Sequence, residues 1–74
     1  MSEYHLDTVG LKCHQPILRI AEKAVDLEPG DVLQVTGDCP FFEGEVRTWC
    51  DRLHKRITSI EDLGAKRRRI TIQF

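Results

Sequence analysis

The sequence predicts an α/β two-layer sandwich, with a mixed four-stranded sheet and two helices on one face, in the order β-α-β-α-β-β. Two stretches place apolar residues at i, i+3, i+4 and i+7, the spacing of a helix with one buried face. The C-terminal stretch alternates apolar and polar residues, as a half-buried strand does. A strand, a helix and a strand in succession favour a parallel pair with a right-handed crossover. The last two strands are expected to form an antiparallel hairpin.

The first half of the chain supplies a strand, a helix and a second strand. Tyr4–Asp7 is the first strand candidate, and the chain bends at Gly10. Pro16 suits the first turn of the helix, where its missing N–H costs nothing, and the turn that starts after Leu27 should end the helix. The second strand is predicted over Val32–Thr36. The apolar face of the first helix consists of Ile17, Ile20, Ala21 and Ala24.

The second half supplies a helix and a hairpin. A loop at Gly37–Pro40 should end the second strand, and Arg56–Glu61 is the third strand candidate. The turn of the final hairpin is predicted at Leu63–Ala65. The apolar face of the second helix is predicted to be Val46, Trp49, Cys50 and Leu53, and its polar face Glu45, Arg47, Asp51 and Arg52. The apolar residues of the last strand are Ile70, Ile72 and Phe74.

Size and composition narrow the functional classes. The 74 residues are expected to form a single domain, 1–74, with one modest core. Charged residues make up 31% of the chain and the net charge is −1, so bulk attraction to nucleic acid or membranes is not expected. No apolar run is long enough for a membrane span, and the start does not resemble a secretory signal, so the expected compartment is the cytoplasm.

Cys13 is the first candidate for chemistry. It lies just before the predicted first helix, where unpaired N–H groups and the helix dipole favour an anion such as a thiolate. Lys12 and His14 flank it and can add positive charge. The alternative is a small, partly buried residue at a turn, and position alone leaves both interpretations open.

The other two cysteines have different expected roles. Cys50 lies on the apolar face of the second helix, so it is interpreted as a core residue. Cys39 follows the second strand, on the edge of the sheet where Cys13 is also expected. It is either a plain loop residue or a partner that resolves an oxidised Cys13 in a redox-responsive regulator. An odd number of cysteines without a CxxC pair disfavours a disulfide framework and a structural zinc site, and no metal is expected.

The run Lys66-Arg67-Arg68-Arg69 is the only concentrated charge in the sequence. It suggests an alternative function, a non-catalytic module that binds RNA or a regulatory protein through the basic C-terminal hairpin. Twelve acidic residues balance it, and the aromatic residues of a base-stacking platform are missing from this stretch. Direct RNA binding is therefore the less favoured expectation.

Residues 6–35, LDTVGLKCHQPILRIAEKAVDLEPGDVLQV, resemble the opening of the TusA-like (SirA/YhhP-type) sulfur-carrier family. That family begins with a strand ending in Leu-Asp, followed by Gly-Leu and by a Cys-Pro-x-Pro motif that opens the first helix. Asp38-Cys39-Pro40 is similar to the family's loop after the second strand, and Trp49-Cys50 to a common feature of its second helix. The resemblance covers nearly the whole chain.

The resemblance implies a sulfur-relay carrier. Its donor would be a protein such as a cysteine desulfurase or a rhodanese, and its acceptor a relay protein or a modifying enzyme that serves tRNA thiolation, molybdenum-cofactor assembly or sulfur metabolism. Cys13 would carry the sulfur as a persulfide, so no cofactor is expected, and the free protein would be a monomer. Pro16 would shape the loop, Asp38, Cys39 and Pro40 would line the same edge, and Lys12 and Arg19 would be docking charges.

One position departs from the family motif. His14 stands where the family has the first proline, so CPxP reads Cys13-His14-Gln15-Pro16. A proline would fix φ and stiffen the approach to the helix. The imidazolium of His14 can instead favour the thiolate electrostatically.

Overall fold

The computed structural model describes residues 2–12 and 14–74 and has the predicted α/β architecture. The four strands form one mixed sheet, in which the last strand lies between the second and the third. Neither helix in the described part of the chain is long and apolar enough to cross a membrane. The elements are β1 (Glu3–Asp7), α1 (Gln15–Ala24), β2 (Val32–Gly37), α2 (Phe42–Arg52), β3 (Arg56–Gly64) and β4 (Arg67–Gln73).

Strand pairing follows the predicted directions. β1 pairs with β2 in parallel, with Leu6 opposite Val35, and β3 pairs with β4 in an antiparallel hairpin. β4 also pairs antiparallel with β2, where Val35 lies opposite Ile70. The last strand therefore occupies the interior of the sheet, between β2 and β3. The register of β3 against β4 shifts between Ile57 and Ser59, which explains why the apolar residues of β3 do not alternate strictly.

The core lies between the sheet and the helices. Alternate residues of β2 and β4 point to the helices, which each contribute one apolar stripe. Trp49 is half-buried at the margin, with its ring centroid 6.2 Å from that of Phe74. The fully buried apolar residues are Ile20, Leu33, Val35, Phe42, Val46, Cys50, Ile70 and Ile72.

Two predicted apolar positions and one boundary of α1 are corrected. Ala21 and Leu53 were expected to face the core, but both are exposed. α1 ends at Ala24 instead of near Leu27, because the N–H groups of Asp26 and Leu27 bond to carbonyls three residues back and tighten the last turn.

The boundaries of the later elements also differ from the prediction. β2 includes Gly37, which was expected in the loop, and α2 begins at Phe42. β3 runs to Gly64, so the turn is made by Ala65 and Lys66. Both turn residues have positive φ, 51° and 65°, as a two-residue type I′ hairpin turn requires.

Candidate functional site

The loops after β1 and β2 meet at one edge of the sheet. The N–H of Gly10 donates to Oδ1 of Asp38 at 3.1 Å, which joins the first loop directly to the second. Next to this bond, the hydroxyl and the N–H of Thr8 both donate to the carbonyl of Thr36 at 2.7 Å. The expectation that these two loops share an edge is confirmed. Cys13, the predicted carrier of the chemistry, lies outside the described residues.

Residues on both sides of position 13 are held by local hydrogen bonds. The N–H of Lys12 donates to Oε1 of Gln15 at 3.1 Å, and the N–H of Gln15 donates back to the carbonyl of Lys12. Pro16 is buried in the first turn of α1, as predicted, while the side chain of Lys12 is exposed. Lys12 and Gln15 are therefore bonded to each other at the start of α1, and the lysine side chain lies in solvent.

His14 takes an unusual backbone conformation at the N-cap of α1. Its φ is 75°, in the left-handed region that non-glycine residues seldom adopt. Its N–H donates to Oε2 of Glu45 at 3.2 Å, and its imidazole Nδ1 lies 3.2 Å from Oε1 of the same carboxylate. The side chain of His14 is 86% exposed, whereas that of Glu45 is 17% exposed. One carboxylate from α2 therefore holds both the backbone and the side chain of the residue that follows Cys13 in the sequence.

The second loop presents its three predicted residues differently. Asp38 is half-buried and accepts the bond from Gly10. Cys39 is half-buried and packs against the core, and its carbonyl accepts the N–H of Phe42 at 3.0 Å. Pro40 is exposed and lies beside α1 and α2. The loop thus brings Asp38, Cys39 and Pro40 to the same edge, with Pro40 the most exposed of the three.

A surface groove begins at this edge and lies between the two helices. We call it the interhelix groove; it encloses about 950 Å³ and is open to solvent. Leu18 and Phe41 are 61% and 66% exposed, so the groove presents large apolar side chains to solvent. Trp49 forms part of its wall, and His14 and Glu45 also line it. An apolar groove beside the cysteine loop is suited to bind another protein.

Cys50 is unsuited to surface chemistry. Its side chain is 2% exposed, and burial raises the pKa of its thiol to about 11, with a smaller opposing effect from Lys55. At neutral pH it is therefore a thiol and not a thiolate. The prediction that Cys50 is a core residue is confirmed.

Arg19 was predicted to be a docking charge. It is exposed and pairs with Glu22 at 3.6 Å, one turn further along α1. It does not line the interhelix groove. Its role in docking stays a prediction.

The basic hairpin is partly neutralised within the fold. Arg68 lies 3.3 Å from Glu43, which also pairs with Arg47 at 3.2 Å. Arg69 lies 3.8 Å from Glu61. Two of the four positive charges thus have acidic partners, and this arrangement does not favour the RNA-binding alternative.

No metal centre is evident among residues 2–12 and 14–74. Within these ranges, no three His, Cys, Asp or Glu side chains cluster closely enough to hold an ion.

Two features of the site had no counterpart in the sequence interpretation. Glu45 was assigned to the polar, solvent-facing side of α2, but its carboxylate turns to His14. The apolar residues of the interhelix groove lie on neighbouring helices, and Phe41 lies in the loop before α2. A single sequence carries no signal for the contact between residues 14 and 45, since the pairing depends on how α1 and α2 pack. Within the sequence, the local sign of an apolar surface outside the core is Leu18, an apolar residue that lies outside the predicted apolar stripe of α1.

Comparison with known proteins supplies the family. Residues 4–73 match the family model described as sulfurtransferase TusA. The sulfur carrier protein TusA of Pseudomonas paraeruginosa strain PA7 is 32% identical over 60 residues, which cover 80% of this chain and 76% of that protein. The sulfur carrier protein TusA of Pseudomonas aeruginosa strain PAO1 is similar to the same extent.

Proposed function

Since the chain belongs to the TusA family of sulfur-carrier proteins, we propose that it relays sulfane sulfur as a persulfide on Cys13. Cys13 stands at the cysteine of the family's motif, and this is the observation that carries the proposal. Cys50 is excluded as the carrier by its burial and raised pKa. The relay is proposed to run in the cytoplasm, where thiols are kept reduced.

The proposed chemistry is two successive thiol exchanges without net oxidation. The thiolate of Cys13 attacks the outer sulfur of a persulfide on the donor protein. The sulfur–sulfur bond of the donor breaks, the donor leaves as a thiolate, and Cys13 becomes a persulfide. A thiolate of the acceptor then attacks the outer sulfur on Cys13, which returns to the thiolate. No cofactor is needed, because the protein carries the sulfur covalently.

The proposed partners dock at the cysteine edge. A donor such as a cysteine desulfurase or a rhodanese, and later an acceptor relay protein, would cover the interhelix groove. Its exposed Leu18 and Phe41 provide apolar contact area. This supports a groove that binds a protein surface and not one that simply faces solvent. Lys12 and Arg19, which are exposed outside the groove, are proposed to add charge contacts with the partner. The pathway served, whether tRNA thiolation, molybdenum-cofactor assembly or sulfur metabolism, follows from the identity of the acceptor.

Intact-protein mass spectrometry after incubation with a cysteine desulfurase and cysteine tests the proposal. We expect the parent protein to gain one sulfur atom that a reducing agent removes. Cys13→Ser should gain none, whereas Cys50→Ala should gain sulfur like the parent, because its thiol is buried. Equal gain in Cys13→Ser and the parent would overturn the assignment of Cys13. Salt-sensitive RNA binding that survives Cys13→Ser would instead support the hairpin module.

A further inference from the structure

Glu45 connects α2 to the residue directly after Cys13. Its carboxylate accepts the N–H of His14 with one oxygen and lies within 3.2 Å of the imidazole with the other. The two residues are 31 positions apart, so the contact is a tertiary one. The carboxylate is mostly buried, which strengthens its electrostatic effect relative to a fully solvated group.

The start of α1 has no comparable group of its own. Its N-cap, His14, makes no side-chain capping bond, and its first turn contains no acidic residue. Negative charge near a helix N-terminus is stabilising, since it offsets the positive end of the dipole. Glu45 supplies that charge from the neighbouring helix.

We propose that Glu45 is a positioning residue for sulfur transfer, which holds the Cys13 loop against α2 through His14 and sets part of the charge around the thiol. This inference rests on the proposed function. It assigns a role to His14 as well: its backbone N–H is the point of attachment, and its imidazole, when protonated, is the counter-charge of the carboxylate.

The other charged groups at this edge are distributed around the pair. Lys12 is exposed on the first loop, and Asp38 accepts its bond from Gly10 on the second. On α2, Glu43 is paired with Arg47, and from β4 Arg68 reaches the same carboxylate. Arg52 lines the groove further along α2. Glu45 is thus the acidic group in contact with the residue adjacent to Cys13.

Substitution can separate the two parts of the proposal, which are the attachment of the loop through His14 and the charge around the thiol. Glu45→Gln removes the charge but keeps an oxygen that accepts the His14 N–H, whereas Glu45→Ala removes both. Glu61→Gln, in the hairpin, makes the same change in net charge away from the site and is the matched control. His14→Asn keeps the N–H and tolerates positive φ, and it removes the imidazole.

The first readout is the pH at which the rate of alkylation of Cys13 reaches half of its maximum, which peptide mass spectrometry can measure. We call this pH the midpoint. The Glu45 carboxylate contacts the residue that follows Cys13 in the sequence, and negative charge disfavours a thiolate. Glu45→Gln should therefore lower the midpoint by about half a pH unit or more at low ionic strength. The shift should shrink in about 1 M salt, where charges are screened within about 3 Å. His14→Asn keeps the Glu45 charge and the N–H that the carboxylate binds, so it should move the midpoint less than Glu45→Gln does. Glu61→Gln should leave it unchanged.

The second readout is the rate of sulfur loading. Glu45→Ala should load several-fold more slowly than Glu45→Gln, because only the alanine variant loses the attachment of the loop. Midpoints that are equal in the parent and Glu45→Gln, or that move equally in Glu61→Gln, would overturn the proposal. Failure of the parent to take up sulfur would count against the proposed function alone, since the alkylation midpoints do not depend on loading.

Discussion

Burial determines the chemical character of Cys50. Cys50 carries a thiol, which can act as a nucleophile, yet its place between α2 and the sheet makes it an apolar core residue. Burial disfavours its charged form and raises its pKa to about 11. The low reactivity expected of Cys50 therefore comes from its position in the fold and not from its residue type.

The first prediction concerns Cys50 in the folded protein. Because its thiol is 2% exposed and protonated at neutral pH, native protein should resist alkylation at this position, and unfolded protein should not. Cys50→Ala should lower the free energy of unfolding by about 1 to 2 kcal/mol through the cavity it leaves. Peptide mapping after alkylation, with and without urea, measures the first effect, and urea denaturation measures the second. Rapid native labelling of Cys50 would contradict this account.

Single residues also mark what the sequence can and cannot predict. The role of Cys50 followed from its spacing with Val46, because a helical stripe identifies its own buried face. The role of Glu45 did not follow, since its partner His14 lies on another helix and the contact arises only when α1 and α2 pack. The positive φ of His14 was equally hidden, because no local turn pattern requires it.

At the scale of elements, the junction between β2 and α2 depends on a close approach. The ring of Phe42, at the start of α2, packs over Gly37, at the end of β2. A Cβ at position 37 would lie 2.8 Å from the ring carbons, closer than such atoms can approach. This contact explains why a glycine occupies a position where the strand continues, although glycine alone suggested that the strand had ended.

The second prediction compares two glycines at this junction. Gly37→Ala should lower the free energy of unfolding by about 1 to 3 kcal/mol, because the buried Phe42 ring must shift. Gly44→Ala is the matched control: its Cβ would meet nothing within 4 Å, and alanine favours the helix by about 0.5 kcal/mol or more. Thermal and urea denaturation of both variants measure the difference. Equal stability of the two variants would show that the ring adapts freely.

Element types were predictable, and their ends were less so. The apolar stripes of α1 and α2 and the alternation in β4 identified each element, because these periods reflect burial on one face. The ends depend on hydrogen bonds and capping that periodicity does not record. The early end of α1 at Ala24 and the two-residue turn at Ala65–Lys66 are examples.

At the scale of the whole molecule, Asp31 joins distant parts of the chain at the end of the sheet away from the cysteine loops. Its nearly buried carboxylate accepts the N–H groups of Glu28 at 2.8 Å and Ser2 at 3.0 Å. Its own carbonyl accepts the N–H of Phe74 at 2.8 Å. The start of the chain, the turn before β2 and the residue after β4 therefore meet at one aspartate.

The third prediction is the pH dependence that follows from Asp31. The hydrogen bonds from the N–H groups of Glu28, and then of Ser2, hold the pKa of its carboxyl below its usual value. A depressed pKa contributes stability that is present above the unfolded value and lost as the pH falls through the folded value. Asp31→Asn should therefore be less stable than the parent at pH 7, and the difference should narrow below about pH 4. Urea denaturation at several pH values measures it.

The control for this prediction is Asp51→Asn, at an exposed position on α2. It should change stability little at pH 7, because surface substitutions away from buried contacts have small effects. A difference between Asp31→Asn and the parent that stays constant from pH 7 to acid would contradict the linkage.

The position of β4 has a consequence for how the protein is made. β4 is the last strand in the chain, yet it lies between β2 and β3 and supplies Ile70 and Ile72 to the core. A ribosome delivers β1, α1, β2, α2 and β3 first, and until β4 follows, β2 has an open edge and β3 has no neighbour. The nascent chain therefore lacks the central pairing of its sheet until residues 67–73 emerge. Closure of the sheet therefore follows the synthesis of β4.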